Sequence, residues 1–356
     1  MNHTPDPYDG AFARTGIALL LNPEGRHTAS KWAADQRHWG GTPEVSRYLK
    51  APVPAGSTDP ANWAGATANP PGSTTFLRLL ARVTAIGRFG QGGVPALHGV
   101  PFAVPVPAQV GAGTAYWTGE DSPRPMTAGA FASLTLPPLG VNSVAVLSKE
   151  LVERGGARAE GAVMGGLVAA LAPALDSAFL DPASGAVAGV RPASITSGVV
   201  GVASAGTVAA DVETLVQATT LSLDDAVLVM APDVAVTIRC RLGGAAAGLG
   251  ARGGELFGLP VVTSTGIGAN LALVHASHIA VADEGGVQLD AVQHASVILD
   301  DDPENVVQAT GAVPVHTSLW QHGLVGLRAT RAINWTVASG AAVQLITAVD
   351  YAVGAP

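Results

Sequence analysis

Apolar positions along the chain change period several times, and each change marks an element. From Val163 the period is helical: Val163, Leu167, Leu171, Leu175 and Phe179 recur every fourth residue, with Met164 and Val168 beside them. That spacing predicts one long helix with a single buried stripe, over Arg158–Leu180. Gly161, Gly165 and Gly166 lower its propensity but let another backbone come close, and Pro173 is expected to bend it. Upstream, Phe76–Ile86 reads as a short apolar helix or strand. Gly99–Val110 and Ser133–Leu147 read as extended, with Asn142–Leu147 a buried strand candidate. Ser148 ahead of Lys149, Glu150 and Leu151 is a helix start. Downstream, a helix is expected over Thr207–Thr219 with Val212, Leu215 and Val216 inward, then a buried strand at Ala226–Met230. Pro232 suits the first turn of a helix at Asp233–Leu242, and the glycine-rich Gly243–Gly254 reads as a flexible loop. Leu259–Val262, Ala272–His275 and His278–Val281 read as successive strands, and Val287–Val297 alternates weakly. Leu324–Leu327 and Arg331–Val337 form a long alternating strand, and Ala342–Ala348 closes the series. The order is mixed α+β with a central helix and no βαβ periodicity.

Between the two extended segments lies Tyr116–Phe131, whose middle, Gly119 to Pro125 (GEDSPRP), is polar, charged and stiffened by proline. That is the composition of an exposed turn. The pattern predicts a long two-stranded arm, and an isolated hairpin is marginal in water. Such an arm needs a partner surface, which points to an assembly subunit. Residues 1–75 are rich in Pro, Gly, Asn and Ser, with short helical possibilities only at Thr28–Gln36 and Glu44–Lys50. Ala51–Ser73 reads as an extended linker. Trp32, Trp39 and Trp63 are unusual there and are read as anchors that press an arm onto a neighbour or onto the body.

Composition changes this picture little. Apolar residues make up 48% of the chain and charged ones 13%, about half the usual charged share. A surface hidden against copies of itself and a coding bias toward Ala, Gly, Val and Pro both fit. Residues 1–75 are charge-balanced, so the formal net charge of −8 lies in 76–356. No basic block could neutralise phosphates, so specific nucleic-acid binding is not expected. The single cysteine, Cys240, rules out an intrachain disulfide and a Cys-rich zinc site, and is expected to be a small buried thiol in an apolar helix. Ile17–Leu21 is too short for the core of a signal peptide, and Gly161–Leu175 is too short to span a bilayer. A soluble protein made in a cytoplasm is expected.

Candidate chemistry is thin. His275 and His278 have the spacing of a metal pair on a helix, but this stretch alternates like a strand and turn and no third ligand lies nearby. Asp300, Asp301 and Asp302 form an acidic loop that reads as solvated. Glu120 and Asp121 sit in an exposed turn without the walls that shift a pKa. No nucleophile elbow, P-loop, HExxH or dinucleotide fingerprint is present. No catalytic residue, cofactor or metal is expected.

Several ordered stretches resemble one family. Phe257-Gly258-Leu259-Pro260-Val261-Val262 is similar to a Gly-Leu-Pro-Val-Val element of tailed-bacteriophage major capsid proteins of the HK97 type. Gln321 to Ile333 is similar to their late strand, Trp117 to Ser148 to the projecting E-loop and its return strand, and Asp176–Asp181 to the end of their spine helix. The resemblance covers residues 76–350. It implies an HK97-like fold: an N-terminal arm (1–75), entry to the peripheral domain (76–98), the E-loop and flanking strands (99–147) and the peripheral domain with its spine helix (148–200). An axial domain (201–315) and a return to the peripheral sheet (316–356) would follow. The implied function is a major capsid protein, assembled in the host bacterial cytoplasm into pentamers and hexamers of an icosahedral virion shell around double-stranded DNA. Tyr116, Trp117, Glu120, Asp121, Arg124 and Phe131 would be the E-loop contacts, and Trp32, Trp39 and Trp63 the arm anchors. Partners would be the chain itself, a portal protein and a separate scaffolding protein, with DNA enclosed but not specifically bound and no membrane. The only lysines are Lys31, Lys50 and Lys149, so the covalent E-loop crosslink of some members is not expected. An encapsulin-like compartment shell, and a surface-layer or adhesin protein, are the alternatives.

Overall fold

The computed structural model describes residues 11–21, 26–35, 45, 73–111, 117–118, 130–154, 157–283, 285–298 and 316–351. Its helices are α1 (Ala11–Leu21), α2 (Arg26–Asp35), α3 (Ser73–Val83), α4 (Ala85–Arg88), α5 (Lys149–Arg154), α6 (Ala157–Leu180), α7 (Val208–Ala218) and α8 (Pro232–Leu242). The strands before α7 are β1 (His98–Gly99), β2 (Val106–Gly111), β3 (Ala130–Leu134), β4 (Gly140–Ser148) and β5 (Val202–Ala203). Those of the middle are β6 (Ala226–Met230), β7 (Gly254–Leu256), β8 (Leu259–Thr263), β9 (Leu271–His275) and β10 (Ile279–Asp283). The last are β11 (Gln288–Val292), β12 (Ser296–Ile298), β13 (His316–Ser318), β14 (Leu324–Val337) and β15 (Val343–Thr347). The chain divides into two compact units: 1–80, 141–171 and 285–331 form the first, and 81–140, 172–284 and 332–356 the second.

In the first unit, β14 pairs with β4 and, antiparallel, with β11. Helix α1 packs on α2, α5 and β11. Its inward residues Ile17, Ala18 and Leu20 are buried, and Gly16 leaves the space that Leu327 fills. Ser148 caps α5 by accepting from the Leu151 N–H at 3.3 Å, as its position ahead of Lys149 predicts. The Lys149 N–H donates to the Gly323 carbonyl at 2.8 Å. Strand β4 is not the buried strand expected from Asn142–Leu147. Of its residues only Ser143 is buried, and Val144 is 59% exposed, because one face of this three-stranded arrangement has no covering layer among the described residues.

The second unit is built on a six-stranded sheet in the order β5-β15-β9-β6-β8-β7. Strands β6 and β9 are buried at every position, as central strands covered on both faces must be. On one face Val212 and Leu215 of α7, with Ala235 and Ile238 of α8, pack against Leu228, Met230, Leu271 and Leu273. Strands β6 and β8 are parallel and α8 lies between them in sequence, so one βαβ crossover is present where the sequence pattern shows none. The β7–β8 hairpin inserted after α8 hides the unit's period. A smaller set of strands pairs β1 with β10 in parallel and β10 with the end of β14, from Ile279↔Val337 to Asp283↔Ile333.

The stripe predicted for α6 is present: Val163, Leu167, Leu171, Leu175 and Phe179 are all buried. The helix continues through Pro173. Pro173 and Ala169, whose carbonyl loses its helical partner there, are both on the exposed side, where water can take that bond. The apolar run extends to Leu180, so the window Val163–Leu180 has the length and composition to cross a membrane, contrary to the shorter stretch read from sequence. Cys240 is exposed, not buried: α8 buries Ala235 and Ile238, and Cys240 falls on the opposite side. The Gly243–Gly254 stretch is a set of tight turns and not a loose loop. A Cβ on Gly253 would lie 2.3 Å from the Val261 carbonyl oxygen, and one on Gly254 1.9 Å from that of Gly248, at positive φ in both cases.

Two buried carboxylates tie loops to the second unit. Asp211 of α7 accepts from the Ser204 hydroxyl at 2.6 Å, the Ala205 N–H at 2.7 Å and the Tyr351 hydroxyl at 2.7 Å. Burial, with the Asp211 hydrogen bond, pushes the Tyr351 phenol well above its ordinary range. Asp176 of α6 accepts from the Ala85 N–H at 2.7 Å and the Ser264 hydroxyl at 2.5 Å. Burial raises its carboxyl above the ordinary aspartate value, against the opposing pull of Ser264, Ala85 and Arg88. An acid with a raised folded pKa contributes stability that is full below its unfolded value, 3.8, and is lost as pH rises through the folded value. The stability of the parent relative to Asp176→Asn should therefore increase as pH falls through that window, measured by urea unfolding at several pH values. Asp176→Ala orphans both donors and should cost about 2 kcal/mol. Tyr351→Phe should cost about 1 kcal/mol, because Asp211 keeps its other two donors.

Candidate assembly surfaces

The arm predicted from Tyr116–Phe131 has its base in β2 and β3, which pair antiparallel from Val106↔Leu134 to Gln109↔Phe131. The register shifts between Gln109 and Gly111, which faces Ala130. A bulge of this kind increases local twist. These strands form a two-stranded sheet with no further partner among the described strands. Beyond the base, only Trp117 and Thr118 are described. Trp117 is 105% exposed, so no described residue covers the indole. An indole offers a large apolar area with one polar N–H, the profile of an interface anchor.

Of the other expected contacts, Phe131 lies in β3 opposite Gln109, and Tyr116, Glu120, Asp121 and Arg124 lie outside the described residues. Trp32 is in α2 and half-buried; Trp39 and Trp63 lie outside the described residues, as do Asp300, Asp301 and Asp302. The structure brings none of these residues together into one cluster within the described chain.

A second exposed aromatic has a different character. Strands β7 and β8 pair through Leu256↔Leu259, leaving Phe257 and Gly258 as a two-residue turn. Both have positive φ, 52° and 82°, which is a type I′ turn. Asn, Asp or Gly is favoured at the first position. Phenylalanine there carries a backbone cost of about 1 kcal/mol, and the residue is 50% exposed. The sequence motif that contains Phe257 was visible, but its turn type was not.

The histidines are structural. His275 is buried, with Nδ1 3.1 Å from Asp225 Oδ1 and Nε2 2.8 Å from Thr219 Oγ1. Both nitrogens are thus committed, leaving no lone pair for a metal. Ser277 donates its hydroxyl and its N–H to Asp225 Oδ2, and His278 Nδ1 lies 3.0 Å from the Ser277 hydroxyl. Partial burial disfavours charge on Asp225, yet the hydrogen bonds from Ser277 and His275 outweigh it and hold the carboxyl below its ordinary range. This network fastens the β9–β10 corner to the turn before β6.

The chain belongs to the phage capsid family, whose sequence model matches residues 64–348. It is 40% identical over 320 residues to the capsid polyprotein of Pseudomonas phage PAJU2, a match covering 85% of this chain and 48% of that protein. The chain therefore spans about half the length of this curated relative. Similar solved structures include one from Mycobacterium phage Adephagia, 15% identical, covering 77% of this chain and 91% of the other with a TM-score of 0.49. The capsid of a native GTA particle is also 15% identical, covering 87% of this chain and 98% of the other with a TM-score of 0.47.

Because Trp117 is fully exposed among the described residues, Trp117→Ala should leave the unfolding free energy of the isolated subunit unchanged within about 0.5 kcal/mol. The same variant should raise the concentration needed for self-association, read by analytical ultracentrifugation.

Proposed function

We propose that this chain is the major capsid protein of a tailed phage, a structural and non-catalytic subunit. It assembles into pentamers and hexamers of an icosahedral shell that encloses double-stranded DNA in the virion. Family membership supports the class, and the observation that carries the mechanism is the β2–β3 hairpin, whose Trp117 is fully exposed and has no cover among the described residues. In this reading 1–75 is an N-terminal arm and 99–147 holds the projecting loop. Helix α6 is the spine of a peripheral domain. The six-stranded sheet with α7 and α8 is the core of an axial domain expected over 201–315, and β15 joins that sheet from 316–356, the segment expected to return to the peripheral sheet.

One sequence must serve at five-fold and six-fold positions, so a rigid body with swinging arms meets the need. Contacts between different faces of neighbouring copies close each ring. With three lysines, none between Lys50 and Lys149, the loop holds by packing and hydrogen bonds and not by a crosslink through its own lysine. The acidic chain repels packaged DNA and lets it slide during filling. A portal protein and a separate scaffolding protein would complete assembly in the bacterial cytoplasm.

Replacing residues 112–129 by a short Gly–Ser turn tests the arm. The expected product is a folded subunit with parental far-UV dichroism that forms no closed shells by electron microscopy. Normal shells from that variant would refute the role of the arm.

A further inference from the structure

We propose that Ala342–Tyr351 is a strap that opens and closes on the six-stranded sheet as one piece. In opening it releases β5 and the turn after it, and leaves β9-β6-β8-β7 in place. The sheet order shows why these parts move together. Strand β15 lies between β5 and β9, and β5 has no other strand partner. Toward β9 the pairing runs antiparallel from Val343↔Val274 to Ile346↔Leu271, and the His275 N–H donates to the Ala342 carbonyl at 2.8 Å. Toward β5 it is parallel, Ile346↔Val202 and Thr347↔Ala203, and the Ser204 N–H donates to the Thr347 carbonyl at 3.1 Å. Without β15, β5 keeps no ladder bond. The strands from β9 to β7 keep their pairing with one another.

Beyond β15 the strap ends in a pin. Val349 and Tyr351 are buried in the same apolar cluster as Val208, Val212 and Leu215 of α7, and the Val349 N–H donates to the Ala269 carbonyl at 2.9 Å. Asp211 then joins the two ends of the moving piece. One carboxylate takes the Tyr351 hydroxyl from the strap and the Ser204 hydroxyl and Ala205 N–H from the turn after β5. Withdrawing Tyr351 therefore loosens the seat of Ser204 and Ala205.

Closure is weaker here than in the middle of the sheet. Strand β5 is only two residues long, and both are exposed. Ala348, between β15 and the pin, holds a φ of 56°, in the left-handed region that disfavours any side chain. A short segment with exposed bonds and a strained bend belongs to the low-stability end of a fold and opens locally. Closed, the strap covers the edge of β9, where Leu271 to His275 includes no Lys, Arg, Asp or Glu. An open edge of that composition templates pairing with other chains, so the strap guards it.

Amide hydrogen exchange of the full chain tests this. The Ser204, Ala205, His275 and Val349 amides report the strap, and those between β6 and β8 report the sheet. In the parent the strap amides should share one opening constant, roughly ten-fold or more above that of the β6–β8 amides. Tyr351→Phe should raise that constant at all of them alike, by roughly five-fold. Val274→Cys with Val343→Cys, in a Cys240→Ser background, ties β15 to β9 when oxidised, because this cross-strand pair flanks the bonded pair His275 and Ala342. Ser204 and Ala205 lie outside that crosslink, yet they should slow to the β6–β8 rate and recover on reduction. The proposal is overturned if Ser204 and Ala205 exchange independently of His275 and Val349, if all of these amides share the β6–β8 rate in the parent, or if the crosslink leaves Ser204 fast.

Discussion

The second half of α6 is the support on which the second unit depends. Phe179 lies edge-to-face with Phe89 at 6.3 Å and with Trp335 at 5.3 Å between ring centroids. Such perpendicular pairs add to the burial of three large rings. Each partner is fixed in turn: the Trp335 indole N–H donates to the Ala193 carbonyl at 2.9 Å, and the Ile195 N–H to the Phe179 carbonyl at 2.9 Å. One turn earlier, Asp176 holds α4 through Ala85 and the end of β8 through Ser264. Gly266 presses so close to the Asp176 carbonyl that a Cβ would sit 2.4 Å from its oxygen. A single helix end thus positions the segment before the arm, the chain before β5 and the exit of β8.

That rigidity gives the exposed features their meaning. An apolar side chain on a loose terminus can find cover within its own chain. Phe257 stays half-exposed, because the adjacent glycine turns lock the β7–β8 hairpin, and β8 is tied to β6. Arg88 reinforces the same place by donating to the Thr263 carbonyl and hydroxyl. A fold that leaves Trp117, Val200 and half of Phe257 in water and carries a two-stranded arm is poorly suited to life as a monomer. It is well suited to repeated contacts with copies of itself.

Much of this was legible in the sequence. The four-residue period of α6, the all-apolar run of β6 and the proline opening α8 each produced the element they predict. The base of the arm emerged where extended segments flank a charged, proline-rich turn. What was not legible depends on long-range neighbours. Asp176 looks like an interruption in an apolar stripe, and only the approach of Ala85 and Ser264, distant in sequence, shows why a carboxylate is there. Cys240 looked buried because its helix is apolar in composition, but burial follows the side facing the sheet. The βαβ crossover was concealed by a hairpin between α8 and β8. The left-handed turn at Phe257 follows from strand register, which the residue pattern alone leaves open.

The central claim is that this chain builds a closed shell from copies of itself. Electron microscopy of the purified full chain, alone and with a candidate scaffolding protein, tests it most directly. The account predicts uniform rings and icosahedral particles. A chain that stays monomeric under every such condition would contradict it.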